Sequence, residues 1–380
     1  MVKFIAYCDY TKRLHIIYKT YLNIKSFDIF YNLFIIILLF ILYYQIWRLI
    51  MAVLICGGAG YIGSHVFNEL SKQNIETIII DSLECGHKEA IKECKNFYQG
   101  SIGDADLLQN IFKKHDIDSV MHLCAYIEVG ESVQNPAKYY ANNLANSINL
   151  LNCMIKANIK NFIFSSTAAV YGEPEKIPLK EEYRKEPTNP YGDSKLALEK
   201  ILNWYSKAYD FNFVALRYFN ASGAHPDGHI GEDHNPESHL IPLILQVPLG
   251  KRESIKIFGN DYPTPDGTCL RDYVHVCDLA SAHIDAMNYL KNGGKSVSCN
   301  LGNGDGFSVK EVIEVARKVT GHPIPAEICP RRAGDSSELI ASSDLAKKLL
   351  GWTPKINSLE TIIETAWNWH KNHPNGYNDK

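Results

Sequence analysis

The sequence predicts an α/β protein built on a doubly wound parallel sheet with helices on both faces. Three observations carry this expectation. An apolar run, Ala52-Val53-Leu54-Ile55, leads into the glycine-rich string Gly57-Gly58-Ala59-Gly60-Tyr61-Ile62-Gly63, and a helical pattern follows. Further strand-like runs alternate with helical stretches as far as Ser165, the order that covers a parallel sheet on both faces. The chain has 380 residues, 46% of them hydrophobic and 21% charged, which suits an ordinary folded enzyme of one large or two medium domains.

The first unit is strand, turn, helix. Gly57 permits a tight turn, Gly60 lets the backbone approach a pyrophosphate, and Gly63 lets the helix pack on the strand. The helix over Ser64 to Gln73 carries Val66, Phe67 and Leu70 on one face, and its N-terminus offers free N–H groups to phosphates. The next strand, Thr77 to Ile80, ends in Asp81, at the distance where an acid holds an adenosine ribose. An acid there repels the extra phosphate of NADP, so the expected cofactor is NAD. Asp104 falls in a loop, where it either meets adenine or caps the helix over Ala105 to Lys113. Ser119 to Cys124 and Phe162 to Ser165 read as further strands, with a helical stretch over Pro136 to Ala157 between them.

The net charge of -3 gives no pull toward nucleic acid or an anionic surface. None of the ten cysteines forms a C-x-x-C pair, so neither a zinc set nor a redox pair is expected, and no metal site is assigned. Free buried thiols suit a reducing compartment.

Tyr191-Gly192-Asp193-Ser194-Lys195 places a tyrosine and a lysine four residues apart, on one face of a helix. A free phenol titrates near about pH 10, too high for a base at neutral pH. A neighbouring ammonium and an oxidised nicotinamide both favour the phenolate. Upstream, Ser165-Ser166-Thr167 ends a strand, and strand ends face the ligand in such sheets. Thr167 is placed to bond a sugar hydroxyl and pass its proton to Tyr191.

Together with Arg217-Tyr218-Phe219-Asn220, these strings resemble the extended short-chain dehydrogenase/reductases, the NAD-dependent epimerase/dehydratase family. Gly259 to Thr268, Arg271-Asp272-Tyr273-Val274-His275-Val276 and Arg331-Arg332-Ala333-Gly334-Asp335 are similar to the branch that inverts carbon 4 of UDP-sugars. The match runs in order from about Met51 to Asn372. The resemblance implies a Rossmann sheet over 51–219, with a smaller C-terminal α/β domain over 220–380 that binds the UDP-sugar. It implies reversible inversion of UDP-glucose and UDP-galactose through a 4-keto sugar, with NAD kept bound. It assigns Gly57, Gly60, Tyr61, Ile62 and Gly63 to the pyrophosphate, Asp81 and Ser82 to the ribose, and Ile102 and Asp104 to adenine. It sets Asn143 and Lys195 beside the nicotinamide half. Asn220, Arg271, Arg332 and Asp335 are assigned to the diphosphate and uridine, and Leu240, Lys256 and Phe258 to uracil. It further implies a homodimer built on helices near Tyr139 to Ala157 and Tyr191 to Tyr209.

Two departures stand out. Ile127 replaces a lysine that some relatives carry near the nicotinamide. Leu339 occupies the position that in the family lines the sugar pocket, and its branched apolar side chain leaves a plain and an N-acetylated hexose both open. Neighbouring activities fit less well. A 4,6-dehydratase needs an acid and a base just after the hydroxyl residue, and a glucuronate decarboxylase commonly has an acid there. Ala168-Ala169 fills that place and moves no protons. A non-catalytic NAD sensor on the same fold would be expected to lose Tyr191 or Lys195. Epimerases of UDP-N-acetylhexosamines or UDP-glucuronate are the remaining alternatives.

The first fifty residues stand apart. Ile29 to Trp47 contains no charged residue, about the length of a membrane span. Five basic residues precede it and only Arg48 follows closely, a polarity that would export the catalytic domain away from cytosolic NAD. No linker separates the run from the strand at Ala52, and Met51 stands where relatives of this kind begin. Residues 1–50 are therefore expected to be a mis-assigned start or a dispensable extension, and the enzyme to be cytoplasmic. The intact mass of the native protein tests this: a mass matching all 380 residues refutes it.

Overall fold

The computed structural model describes residues 52–332 and 335–378. The expectations for residues 1–50, the apolar run 29–47 among them, and for Ala333-Gly334 fall outside the described residues. Among the described residues no helix is long and apolar enough to cross a membrane.

Seven strands form one sheet: β1 (Ala52–Cys56), β2 (Thr77–Asp81), β3 (Asn96–Gln99), β4 (Ile117–His122), β5 (Asn161–Thr167), β6 (Asn212–Tyr218) and β7 (Val297–Leu301). Their spatial order is β7-β6-β5-β4-β1-β2-β3, and every neighbouring pair is parallel. The doubly wound expectation holds. The order reverses between β1 and β4, and the crevice beyond the carboxyl ends of those two strands is where such sheets bind ligands.

Burial on both faces explains why the strands read as continuous apolar runs. Val53 and Ile55 join a core with Val66, Leu70, Leu279, Met287 and Leu301 on one face. Leu54 and Cys56 join Phe162, Phe164, Leu150, Leu198 and Phe213 on the other. Each such side chain contributes about 1.5–3 kcal/mol on burial.

Two expected elements differ. The strand expected over Ser119 to Cys124 is Ile117–His122; its last ladder bond, from Leu123 to Cys56, is 2.8 Å, and the chain then turns into the crevice. The helix expected over Pro136 to Ala157 is broken into Pro136–Tyr139, a π-helix over Tyr140–Asn146, and Ser147–Lys156. Asn143 sits inside the widened turn. Its side-chain amide bonds both ways to the backbone of Tyr126, at 2.9 and 3.0 Å, and Ser147 Oγ donates to its carbonyl at 2.8 Å. Such wide turns concentrate at functional sites.

The second half of the chain has its own core of Ile241, Leu245, Ile257, Val312 and Ile362 and several short strands. Asn220–Ser222 pairs with Tyr273–His275, and Ile255–Phe258 with Ala326–Cys329. Leu270–Arg271 lies between Phe307–Ser308 and Glu338–Leu339. Residues 276–301 return to the large sheet: the helix Val276–Lys291 packs on its face and β7 extends its edge.

Candidate active site

The glycine turn opens the site. Gly57 has a φ of +82°, and a Cβ there would lie 2.7 Å from the backbone nitrogen of Cys124. At Gly63 a Cβ would lie 2.1 Å from the Gly57 carbonyl oxygen. Both glycines answer to the protein's own packing. Gly60 does not: its Cβ would meet only that same oxygen, at 3.5 Å. The space beside Gly60 and the N-terminus of the helix Tyr61–Lys72 fit a dinucleotide pyrophosphate. Tyr61 turns away from it and donates to Gly223 O at 2.6 Å, while Ile62 packs into the core.

Asp81 ends β2. Its carboxylate accepts from Ala59 N at 2.9 Å and Leu83 N at 2.8 Å, so it braces the glycine turn. Burial pushes its pKa up, and the two N–H donors pull it partly back. Ser82 is exposed. Asp104 caps the helix Ala105–Lys114 by accepting from Leu107 N at 3.0 Å, and Ile102 is buried in the core behind it.

Thr167 closes β5, and its hydroxyl accepts from Ala169 N at 3.1 Å. Tyr191 lies in the first turn of the helix Pro190–Ala208, which Asn189 caps by accepting from Gly192 N. Burial pushes the Tyr191 phenol up, and the Thr167 hydroxyl offsets part of that rise. One turn later Lys195 is 2% exposed. Its ammonium donates to Ser165 O at 2.7 Å and Ser165 Oγ at 3.3 Å, and lies 6.0 Å from the centre of the Tyr191 ring. Burial lowers its pKa to about 8, against the pull of Cys124 and Glu199. Two of three ammonium protons are thus directed at Ser165, which leaves one for a ligand. Asn143 reaches this group from behind, with Nδ2 3.4 Å from Ser194 Oγ.

The expected UDP-sugar residues lie in the second half of the chain. Arg271 stands opposite Leu339 in the paired short strands, and Leu339 packs on the cluster of Val170, Tyr171, Leu179 and Leu196 beside the Tyr191 helix. Asp272 does not pair with Arg271. Its carboxylate accepts from the backbone of Asn303, Gly304 and Ala341 at 2.8–3.1 Å, and burial raises its pKa to about 6. Asn220 Nδ2 donates to Asp272 O at 2.9 Å. Arg332 pairs with Asp335 at 2.9 Å and lies 4.9 Å above the Phe258 ring. Lys256 is exposed on the same short strand, and Leu240 heads the helix Leu240–Leu245.

Sequence reasoning missed a buried ion pair. Arg217 and Glu199 are 3% and 4% exposed at their side chains, and two bonds of 2.9 and 2.6 Å join them. Glu199 also accepts from Ser166 Oγ at 2.5 Å. The helix therefore holds the end of β5 twice: Lys195 at Ser165, and Glu199 four residues later at Ser166. The repeated four-residue spacing after Tyr191 was the available signal.

The model of the NAD dependent epimerase/dehydratase family matches residues 53–302. A UDP-glucose 4-epimerase of Halalkalibacterium halodurans is 57% identical over 327 residues, 86% of this chain and 98% of that one. The crystal structure of UDP-glucose 4-epimerase from Brucella ovis in complex with NAD is 43% identical, with a TM-score of 0.81 over 83% of this chain and 97% of that one. The UDP-Glc/GlcNAc 4-epimerase of Campylobacter jejuni is 42% identical, with a TM-score of 0.75 over 85% and 99%. With the parallel sheet, its glycine turn and the Tyr191–Lys195 helix in place, these matches settle the family: the chain belongs to the NAD-dependent epimerases and dehydratases.

Proposed function

We infer that this chain is a UDP-glucose 4-epimerase, an isomerase that inverts carbon 4 of UDP-glucose and UDP-galactose with NAD as its resident cofactor. One observation carries the reading. Thr167, the Tyr191 phenol beside it and Lys195, bonded to Ser165, stand together at the carboxyl end of β5, and Ala168-Ala169 follows where a dehydratase would need an acid and a base.

When bound beside Gly60, Asp81 and Lys195, NAD would supply the hydride acceptor and donor for carbon 4. The chain's residues handle the proton. Tyr191, as phenolate, takes it from the sugar 4-hydroxyl, directly or through Thr167, and later gives it back. Burial alone opposes this role by raising the phenol pKa. The role therefore depends on positive charge: the Lys195 ammonium, fixed by Ser165, and an oxidised nicotinamide ring. Inversion also requires a firm grip on UDP and a loose one on the sugar. Asn220, Arg271, Arg332 and Asp335 supply the grip on diphosphate and uridine, with Leu240, Lys256 and Phe258 covering uracil. Leu339 faces the sugar. Arginine forks suit the diphosphate because they meet paired oxygens with two bonds. Residues 51–219 serve the dinucleotide and 220–380 the UDP-sugar, with 276–301 shared in structure. On the dinucleotide side, Asp81 and Ser82 hold the ribose, Asp104 and Ile102 flank adenine, and Asn143 acts by positioning the loop at Tyr126.

The working unit is a homodimer in the cytoplasm. Trp204 and Tyr209, 69% and 50% exposed, support a partner-covered face at the C-terminal end of the Tyr191 helix, because large exposed aromatics gather at interfaces.

The test is Tyr191→Phe, assayed with UDP-galactose. Turnover falls at least about 100-fold, within the range of general-base loss, while dinucleotide co-purifies undiminished. Near-normal turnover with bound NAD refutes the assignment.

A further inference from the structure

The loop between Ser222 and Leu240 carries two Glu-x-His units, Glu232-Asp233-His234 and Glu237-Ser238-His239. Their four ligand atoms all lie within 4.8 Å of one another. Carboxylate and imidazole alternate around a closed ring. Glu232 Oε1 is 2.8 Å from His239 Nδ1 and 3.2 Å from His234 Nδ1. Glu237 approaches the same nitrogens at 3.2 and 3.9 Å. A tetrahedral ion with bonds of about 2.0–2.1 Å has ligand–ligand edges of roughly 3.3 Å, and the four distances bracket that length.

A second observation points to a ligand. The Glu232 side chain is 4% exposed, yet Oε1 has no hydrogen-bond partner of adequate geometry, and neither does His234 Nδ1. Both imidazoles approach this one oxygen, at 2.8 and 3.2 Å, while His239 Nδ1 also meets Glu237 Oε1 at 3.2 Å. Buried polar atoms without partners are uncommon in folded proteins, and these two lie 3.2 Å apart within the cluster. His239 is 39% exposed, which gives an ion a way in.

We propose that Glu232, His234, Glu237 and His239 bind one zinc-class divalent cation. Two neutral imidazoles and two carboxylates match its charge and its preference for mixed nitrogen and oxygen ligands, whereas magnesium and calcium take oxygen sets. The site is structural: four protein ligands leave no position open for a reacting group. It also has a defined reach. The His234 ring stands edge-on to Tyr61 of the glycine turn, 6.2 Å between centroids. Trp369 Nε1 bonds Glu232 O at 3.1 Å, and His239 immediately precedes the helix that starts at Leu240. The ion would tie the loop joining the dinucleotide turn to the uracil side. The expectation of no metal site rested on cysteine spacing, which is blind to a Glu-x-His repeat.

The test uses the full chain, stripped with a chelator and titrated with Co²⁺ as a visible probe. One equivalent binds with the strong visible absorption of a four-coordinate cobalt, and one equivalent of Zn²⁺ erases it. His239→Gln and Glu232→Gln each weaken binding by about 100-fold or more, at or beyond the loss seen for outer-shell partners. Asp227→Asn, in the neighbouring His225-Asp227-His229 group, leaves it unchanged. Octahedral-type weak absorption, binding that is not saturable at one equivalent, or loss with Asp227→Asn in place of His239→Gln overturns the proposal. The wild-type spectrum alone decides it if the variants fail to fold.

Discussion

Replacing Glu199 by glutamine keeps the shape of the side chain and removes its charge. Arg217 then stays buried at 3% exposure with no counter-charge. Burial would lower the Arg217 pKa, but Glu199 outweighs it and holds the guanidinium firmly protonated, so the arginine cannot escape by losing its proton. Breaking a buried pair from one side costs about 3–5 kcal/mol. The substitution leaves no cavity, and one amide oxygen still accepts from the fork, so the lower half of that range applies: about 3 kcal/mol by the same principle. Equilibrium urea unfolding of wild type and Glu199→Gln measures it. The double variant Glu199→Leu/Arg217→Met removes both charges. It should lose less than the single one, because no unpaired ion is left behind, although Tyr171 OH and Ser166 Oγ give up partners at 2.8 and 2.5 Å. A loss below about 1 kcal/mol for Glu199→Gln is the signature of a surface pair, and it would refute the reasoning. So would a double variant weaker than the single.

Two further outcomes follow from the same geometry. Gly63→Ala forces a methyl to within 2.1 Å of a backbone oxygen; relieving it moves the glycine turn, so stability falls by about 1–3 kcal/mol or more and the purified protein carries less dinucleotide, read by absorbance after acid release. Lys195→Met shows an opposite sign at two pH values. The folded pKa near 8 lies below the ordinary 10.5, so the charged form is penalised by about 3 kcal/mol below pH 8, and wild-type stability rises as pH climbs from 8 to 10.5. Methionine removes that penalty but strands the Ser165 carbonyl, at about 1–2 kcal/mol. The variant is then the more stable protein at pH 7 and the less stable one at pH 10.5, by urea unfolding at each pH; equal differences at both would exclude a buried, depressed lysine.

Much of the catalytic edge was legible because its constraints are local. A glycine turn between a strand and a helix needs particular residues at fixed spacing, and a tyrosine and lysine four apart on a helix meet on one face. Asp104 was readable only as two roles, and the structure shows it capping the helix. Asn143 was readable as a site residue, but not as the amide that clamps Tyr126 inside a π-turn. What the sequence conceals are contacts made across long separations. Arg217 and Glu199 meet because β6 lies beside β5 and the helix between them folds back over both. The second half is the harder part for the same reason: its two- and three-residue strands carry no periodicity, and Leu339 reaches Arg271 only through one such pairing.

The arrival of β7 from residues 297–301 has a consequence for how the chain is made. As synthesis proceeds from the N-terminus, β1 to β6 can pair as soon as Tyr218 is available. The outer edge of β6, with Val214, Ala215 and Leu216, then waits for a strand some eighty residues downstream. Until that strand emerges, the nascent sheet presents an unpaired apolar edge, the feature by which β proteins most readily associate with the wrong chain. Completing the second half of the chain thus also closes the exposed edge of the large sheet.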